Sequence, residues 1–304
     1  MNKELVAENV YIWTEALGCA EILRPMLLSF TKHHDEKIYV YIYENELDKL
    51  PAHENILPIL IKSDSNEKYS KDYFIDGYKK GHLGTARLWA HIIKSINAKY
   101  LIHLDSDCIF LGNVLKDLSI IQTGYGVVGS RRPYRHFKTK SFSKRLLYFF
   151  MPDAVNTHCF AFQNDLQIFS REELIKIILG QERSALQKIL FPNIDFFDQL
   201  TFKIRKTAGI YYLDSVKQNK SGRYSRYGVF EKKMISFSGV GSGYAFYHGL
   251  AQSTSKSYEE FAISSYSLYS KYLLAREIDV DPLESKYLID LLAKLDQTNW
   301  EIKS

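Results

Sequence analysis

Two aspartates, Asp105 and Asp107, stand one residue apart near the middle of this 304-residue chain. The apolar run Tyr100–Leu104 precedes them, and a second apolar run, Cys108–Leu111, follows at once. Apolar segments on both sides predict that the carboxylates lie at the edge of a core, where they repel each other unless a positive charge lies between them. Mg²⁺ or Mn²⁺ fits that position, because these ions take oxygen ligands and often bridge to substrate phosphates.

The surrounding sequence alternates between strand and helix patterns. The run Leu101–Leu104 predicts a strand that delivers the two aspartates at its C-terminal end, where open α/β sheets gather their ligands. Apolar residues at helical spacing within 81–98 predict a helix before it. Further strands are predicted at 9–14, 37–43, 55–61, 124–129, 157–163, 209–213, 234–237 and 244–247, with helices at 20–33 and from 255 onward. This alternation favours a mostly parallel sheet covered by helices on both faces.

A resemblance to a known family begins at residues 85–88, Thr-Ala-Arg-Leu, which open the apolar helix. Residues 100–107, Tyr-Leu-Ile-His-Leu-Asp-Ser-Asp, follow it. Together, this segment resembles the core of GT-A glycosyltransferases, above all the family 8 group that includes glycogenin and bacterial galactosyltransferases. The resemblance implies a single GT-A-like catalytic domain at 1–254, made of a nucleotide-binding half (1–125) and an acceptor-side half (126–254). Residues 255–304 would form a C-terminal helical extension.

The same resemblance implies a metal and donor site. Asp105 and Asp107 would bind a divalent metal, Mn²⁺ or Mg²⁺, that is carried with the nucleotide-sugar diphosphate. Phe-Tyr-His-Gly at 246–249 is similar to the segment that ends the family's metal shell, which makes His248 the expected third ligand. Ser106 lies between the two aspartates and is expected to contact the donor.

Four more residues are expected to contact the donor by position in the family. Arg87 matches the arginine that contacts the donor, and Thr14 lies where the nucleotide base is held. Asn156 and His158 lie in a segment similar to the strand that lines the donor-sugar pocket. From the residues alone, that segment is equally well explained as a packed edge strand.

Asp198 and Gln199 resemble the family's Asp-Gln pair beside the transferred sugar and the acceptor. Carboxylates and amides are common hydrogen-bond partners of sugar hydroxyls, whereas capping of a helix N-terminus is the alternative role for the aspartate. The family 8 likeness implies retention of the anomeric configuration. An inverting route would need a carboxylate base, for which Asp198 or Asp195 is the candidate.

The segment 131–150 is basic and aromatic, and it contains no acidic residue. It predicts peripheral contact with an anionic membrane, contact with an acidic or pyrophosphate-linked acceptor, or a solvated loop that runs into a buried helix. A nucleic-acid partner is disfavoured, because the formal net charge is only +5 and no recognised nucleic-acid module accompanies it.

Composition limits the remaining classes of protein. Apolar residues make up 46% of the chain, which is enough for a large core. Three cysteines, none in a closely spaced pair, argue against a disulfide framework or a zinc site. The N-terminal residues lack the apolar stretch of a signal peptide, and no run approaches the roughly 18 apolar residues of a membrane helix. A cytoplasmic protein is expected, either free or peripheral at the inner face of the membrane.

Three functions remain open at this stage. The first is a metal-dependent glycosyltransferase that uses a nucleotide-diphosphate sugar, with a UDP-sugar as the expected donor. Its hydroxyl acceptor would belong to a bacterial surface polysaccharide or a lipid-linked glycan. The second is a nucleotidyltransferase or another Mg/Mn-dependent phosphate-processing enzyme, although residues 15–19 lack the expected glycine-rich, basic signature. The third, a non-catalytic carbohydrate-binding protein, is disfavoured by the intact aspartate pair.

Overall fold

The computed structural model describes residues 9–62, 88–132, 153–164, 208–213, 227–230, 233–237, 239–249 and 256–275, with short pieces at 170, 172–173, 176, 201, 203 and 215–216. The strands are β1 Val10–Glu15, β2 Ile38–Tyr43, β3 Ile56–Ile61, β4 Tyr100–Leu104, β5 Cys108–Phe110, β6 Val127–Arg132, β7 Ala154–Gln163, β8 Ile210–Leu213, β9 Ser215–Val216, β10 Tyr227–Phe230 and β11 Met234–Phe237. The α-helices of the described ranges are α1 Leu23–His33, α2 (88–95), α3 Leu115–Leu118, α4 Val240–Tyr247 and α5 Lys256–Ala275.

The main sheet has seven strands in the order β3-β2-β1-β4-β7-β6-β8. The pairs β1–β2, β1–β4, β2–β3 and β6–β8 are parallel, whereas β7 runs antiparallel to both of its neighbours. The expected α/β class with a mostly parallel central sheet is therefore confirmed. The chain leaves β1 toward β2 on one side, and β4 lies on the other side. The C-terminal ends of β1 and β4 thus flank a topological switch point, where open α/β sheets bind ligands.

Successive strand residues point to opposite sides of the sheet, so the apolar strands have two faces to bury. Helices cover both of these faces. On one face, α1 packs its buried residues around Phe30 onto Ile12 and Ile102. On the other face, α2 packs Trp89 and its neighbours onto Trp13. The apolar runs that predicted the central strands β1 and β4 are therefore explained by burial on two faces, whereas the outer strand β3 exposes Pro58 and Leu60.

A second, antiparallel sheet has the order β5-β11-β10-β9 and continues from the aspartate turn. Cys108 in β5 pairs with Ser236 in β11, and the Phe237 N–H donates to the Asp107 carbonyl oxygen at 3.0 Å. The pairing of β5 with β11 therefore holds the C-terminal side of the turn that carries Asp107 in a fixed position.

The strand predicted at 244–247 is wrong, because these residues belong to helix α4. A short apolar run cannot by itself distinguish a strand from a buried helix. Tertiary packing decides here: α4 lies so close to α5 that a Cβ on Gly243 would lie 2.1 Å from the Ala262 carbonyl oxygen. The glycines at 241 and 243 lie within this packed helix, not in a loop between two strands.

Helix α5 confirms the helical pattern expected after residue 255 over 256–275, whereas 276–304 lie outside the described residues. It packs against α4. The Tyr269 hydroxyl donates to the Ile22 carbonyl oxygen at 2.9 Å, which ties α5 to the segment that precedes α1. The division into a domain at 1–254 and an extension at 255–304 stays a prediction. Among the described helices, none combines the length and the apolar character needed to cross a membrane.

His34 closes the C-terminal end of α1 as a buried, neutral imidazole. Its Nδ1 lies 2.9 Å from the Phe30 carbonyl oxygen, and its Nε2 accepts the Val114 N–H at 3.1 Å. One nitrogen must therefore donate while the other accepts, which only the neutral ring can do. Burial lowers the pKa of His34 to about 4, against an ordinary value of 6.5.

The free energy of unfolding is expected to rise as the pH increases from 4 to 6.5, because His34 then binds more protons in the unfolded chain than in the folded one. The stability contributed above pH 6.5 is lost as the pH falls toward 4, and it amounts to on the order of 3 kcal/mol. Urea unfolding at several pH values should show this slope in wild type and a shallower slope in His34→Gln. Equal slopes below pH 6.5 would contradict the assignment, whereas the two curves should run parallel above pH 7.

Candidate active site

Asp105 and Asp107 lie in the turn that joins β4 to β5, at the C-terminal end of β4. Every residue of both strands is buried, so the core fixes the turn from both sides. The predicted position of the two acids at the edge of the core is therefore what the structure shows. The turn lies beside the C-terminal end of β1, at the switch point of the main sheet.

His158 joins the two aspartates to form a compact group of three. Each residue offers one ligand atom, and these atoms all lie within 4.8 Å of one another. The Asp105 N–H donates to the His158 carbonyl oxygen at 2.9 Å, and His158 Nδ1 lies 3.3 Å from Asp105 Oδ2. His158 comes from β7, the antiparallel neighbour of β4, so strand pairing brings it beside Asp105.

The electrostatics of the group favour a cation. Asp107 is only 6% exposed, and its Oδ1 has no hydrogen-bond partner among the described residues. Burial and the neighbouring Asp105 carboxylate raise the pKa of Asp107 well above its ordinary value, although the Val240 N–H at the start of α4 acts in the opposite direction. Burial alone would raise the pKa of Asp105 too, but its hydrogen bond to His158 and the charge of that imidazole lower it overall.

These residues fit a divalent metal. Neighbouring oxygen and nitrogen ligands of one octahedral ion lie about 3 Å apart and opposite ligands about 4 Å apart, which is compatible with the 4.8 Å limit of this group. A cation would also give the buried Asp107 oxygen a partner. Two carboxylates suit either Mg²⁺ or Mn²⁺, and the imidazole of His158 favours Mn²⁺.

His248 lies outside this group of three. It caps the C-terminal end of α4, and its ring centroid lies 4.4 Å from that of Tyr244 and 5.2 Å from that of Tyr247. Burial lowers the pKa of His248. Its role as a metal ligand stays a prediction, and so does the role of His158 as a donor contact.

The other residues predicted to bind the donor are distributed around the same edge of the sheet. Thr14 is the penultimate residue of β1; it is fully buried, and within the described ranges its Oγ1 has no hydrogen-bond partner. Ser106 lies between the aspartates in the turn, and Asn156 lies two residues before His158 in β7.

Four candidates fall outside the part of the chain that the structure describes. They are Arg87, Asp195, Asp198 and Gln199. In the sequence, Arg87 immediately precedes the first described residue of α2, a helix that packs on the main sheet. Its expected contact with the donor stays a prediction, as do the roles of Asp198 and Gln199.

Only the start of the basic segment 131–150 is described. Arg131 forms an ion pair with Asp153, and its guanidinium lies 5.7 Å from the centroid of the Tyr212 ring. The Tyr212 hydroxyl donates to the Asp153 carbonyl oxygen at 2.5 Å. Arg131 therefore has a structural role at the end of β6, whereas membrane contact through the rest of the segment stays a prediction.

Sequence reasoning did not identify His158 as a candidate metal ligand, and it assigned no role of their own to Glu15 and His103. All three depend on contacts between residues that are far apart in the chain, from His158 to Asp105 and from Glu15 to His103. The sequence offered one signal, His103 within the apolar run before Asp105. A buried imidazole needs a polar partner, so a partner for His103 could have been expected.

Comparisons with known proteins gave matches in structure alone. No family model matches the sequence, and no curated protein matches it. The glycosyltransferase GlyE of Streptococcus pneumoniae TIGR4 is similar over 68% of this chain at 13% identity, with a TM-score of 0.42. This chain spans 45% of the length of GlyE.

Two structures of the galactosyltransferase LgtC are also similar. The complex of LgtC with donor and acceptor sugar analogs matches 66% of this chain and 72% of LgtC at 12% identity, with a TM-score of 0.44. An active-site mutant of LgtC matches 66% of this chain and 71% of its own at 10% identity, with a TM-score of 0.42. At these identities and scores the matches record a partial likeness of fold, and the geometry of the site itself carries the functional argument.

Proposed function

We propose that this chain is a metal-dependent glycosyltransferase that moves a sugar from a nucleotide-diphosphate sugar to a hydroxyl group of an acceptor. The observation that carries the proposal is the group Asp105, Asp107 and His158, whose ligand atoms lie within 4.8 Å of one another. The group lies at the switch point of a mostly parallel sheet, where such folds bind their ligands.

Asp105, Asp107 and His158 would hold Mn²⁺ or Mg²⁺. The ion would offset the negative charge of the donor diphosphate and of the nucleoside diphosphate as it departs. The buried strands β4 and β5 and the N-terminus of α4 keep the two aspartates in place, and the pairing of β7 with β4 keeps His158 beside them. Arg87 would add a guanidinium that pairs with the donor phosphates.

The chemistry at the sugar follows from the expected family 8 likeness. The acceptor hydroxyl forms a bond to the anomeric carbon while the bond to the donor phosphate breaks, and the departing phosphate takes the hydroxyl proton. The configuration is retained, and no dedicated base is needed. Asp198 and Gln199 would bind hydroxyl groups of the transferred sugar and the acceptor.

A UDP-sugar is the proposed donor, and a bacterial surface polysaccharide or lipid-linked glycan is the proposed acceptor. The enzyme would reach this acceptor from the cytoplasm, with 131–150 at the membrane surface.

The nucleotidyltransferase alternative has less support. Such an enzyme needs free backbone N–H groups after its first strand to hold phosphates. Here the N–H groups of Gly18 and Ala20 donate to the buried Glu46 carboxylate at 2.9 and 3.0 Å, and the Ala16 N–H donates to the Tyr41 carbonyl oxygen. This loop therefore satisfies these N–H groups internally.

Thermal unfolding with a panel of nucleoside diphosphates and nucleotide sugars, each with and without Mn²⁺, tests the proposal. A matching nucleotide at about 100 times its Kd should add about 2.7 kcal/mol of stability, and only when Mn²⁺ is present. Incubation with the matching sugar donor should then release a nucleoside diphosphate. Stabilisation that does not depend on the metal, or release of pyrophosphate from a nucleoside triphosphate, would overturn the proposal.

A further inference from the structure

Glu15, at the C-terminal end of β1, accepts hydrogen bonds from two other elements. The indole N–H of Trp89 in α2 donates to Glu15 Oε1 at 2.9 Å. His103 Nε2 in β4 lies 3.1 Å from both carboxylate oxygens, so the proton of this bond belongs to the imidazole. One side chain thus joins β1, α2 and β4.

The contact between Glu15 and His103 is buried among aromatic rings. The side chain of His103 is only 4% exposed and that of Glu15 only 11%. The His103 ring centroid lies 5.2 Å from Trp13, 4.6 Å from Trp89 and 5.5 Å from Phe160. Because a buried polar group without a partner is costly, the carboxylate and the imidazole hold each other in one orientation.

This contact is close in sequence to both parts of the proposed donor site. His103 is two residues before Asp105 on the same strand, and Trp89 is two residues after Arg87. Trp13, two residues before Glu15, pairs with His103 in the parallel ladder of β1 and β4. Glu15 therefore bridges the strand that ends at the metal group and the helix that follows the predicted donor arginine.

We propose that Glu15 is a positioning residue of the site: its carboxylate fixes the strand end that carries Asp105 against the helix that follows Arg87. The inference rests on the proposed function, because it assigns Glu15 a role toward the same metal and donor groups. Partners that hydrogen-bond a metal ligand directly typically change the metal affinity 10- to 100-fold when they are removed. Glu15 acts one contact further out, through His103, so the lower end of that range is expected.

The test compares Glu15→Gln with Glu46→Gln in the full chain. Glu46 is also a buried carboxylate near the C-terminal end of β1, but it accepts the backbone N–H groups of Gly18, Ala20 and Tyr43. Electron paramagnetic resonance of free Mn²⁺ gives the Kd of the metal without any need for turnover. We expect Glu15→Gln to weaken Mn²⁺ binding about 10-fold and Glu46→Gln to leave it unchanged.

A milder variant, Trp89→Phe, keeps the aromatic ring and removes only the indole N–H. It should keep the Mn²⁺ Kd of wild type and weaken UDP binding at saturating Mn²⁺ by about 3- to 10-fold. Unchanged Mn²⁺ binding in Glu15→Gln, an equal loss in Glu46→Gln, or unchanged UDP binding in Trp89→Phe would each overturn the inference while the proposed function stands. If wild type itself fails to bind Mn²⁺, the proposed function fails and the inference fails with it.

Discussion

Asp107→Asn is expected to weaken Mn²⁺ binding by at least about 100-fold and to remove the proposed glycosyl transfer, while the metal-free protein becomes more stable. Mn²⁺ binding weakens because a neutral amide oxygen replaces a charged ligand in the group with Asp105 and His158. The stability of the metal-free protein increases because burial and Asp105 raise the pKa of Asp107, so the charged form of Asp107 opposes folding at neutral pH. Asparagine keeps the shape and can still accept the Val240 N–H.

Calorimetric Mn²⁺ titration and chemical unfolding of the metal-free protein at pH 7 measure the two effects. Asp117→Asn is the matched control, since Asp117 pairs with Lys233 Nζ at 2.7 and 2.8 Å and, among the described residues, belongs to no group of potential metal ligands. The control should keep the Mn²⁺ affinity of wild type and lose stability. The prediction fails if Asp107→Asn binds Mn²⁺ normally, or if its metal-free form unfolds more easily than wild type.

Gly243→Ala is expected to lower the free energy of unfolding by about 3 kcal/mol, at the upper end of the usual cost of overpacking. The new Cβ would lie 2.1 Å from the Ala262 carbonyl oxygen and 2.7 Å from Tyr266 Cβ. A backbone oxygen inside α5 cannot turn aside as the end of a flexible side chain can. The two helices must separate, and the separation also disturbs the N-terminus of α4 beside Asp107.

Gly241→Ala provides the control within the same helix. Its Cβ would meet Ile22 Cδ1 at 3.4 Å and Cys19 Sγ at 3.6 Å, which are ordinary contacts. Alanine is the better helix former, so this variant should be neutral or gain about 0.5–1 kcal/mol. Urea unfolding of both variants checks the pair. Equal stability of Gly243→Ala and Gly241→Ala would show that the close approach of α4 and α5 does not limit stability.

Sequence periodicity predicted best the strands that are made of continuous apolar runs. Strands β1, β2, β3, β4 and β11 were expected within about one residue of their observed ends. Continuous apolar runs reflect burial on both faces in β1, β2 and β4, whereas β3 keeps its apolar run although Pro58 and Leu60 are exposed. Helix α4 was missed for the opposite reason. Its eight residues are apolar on most sides and rich in glycine, so no period distinguishes a helix from a strand there.

The sequence by itself determined that two carboxylates end a buried strand, where they repel each other unless a positive charge lies between them, because the spacing of acids and apolar runs is a local property. Only the tertiary structure decided which imidazole lies beside them. The antiparallel pairing of β7 with β4 places His158 3.3 Å from Asp105, and the order of β1 and β4 places Glu15 on His103. Strand order and register join residues 53 and 88 positions apart in the chain, and no local pattern encodes those partners.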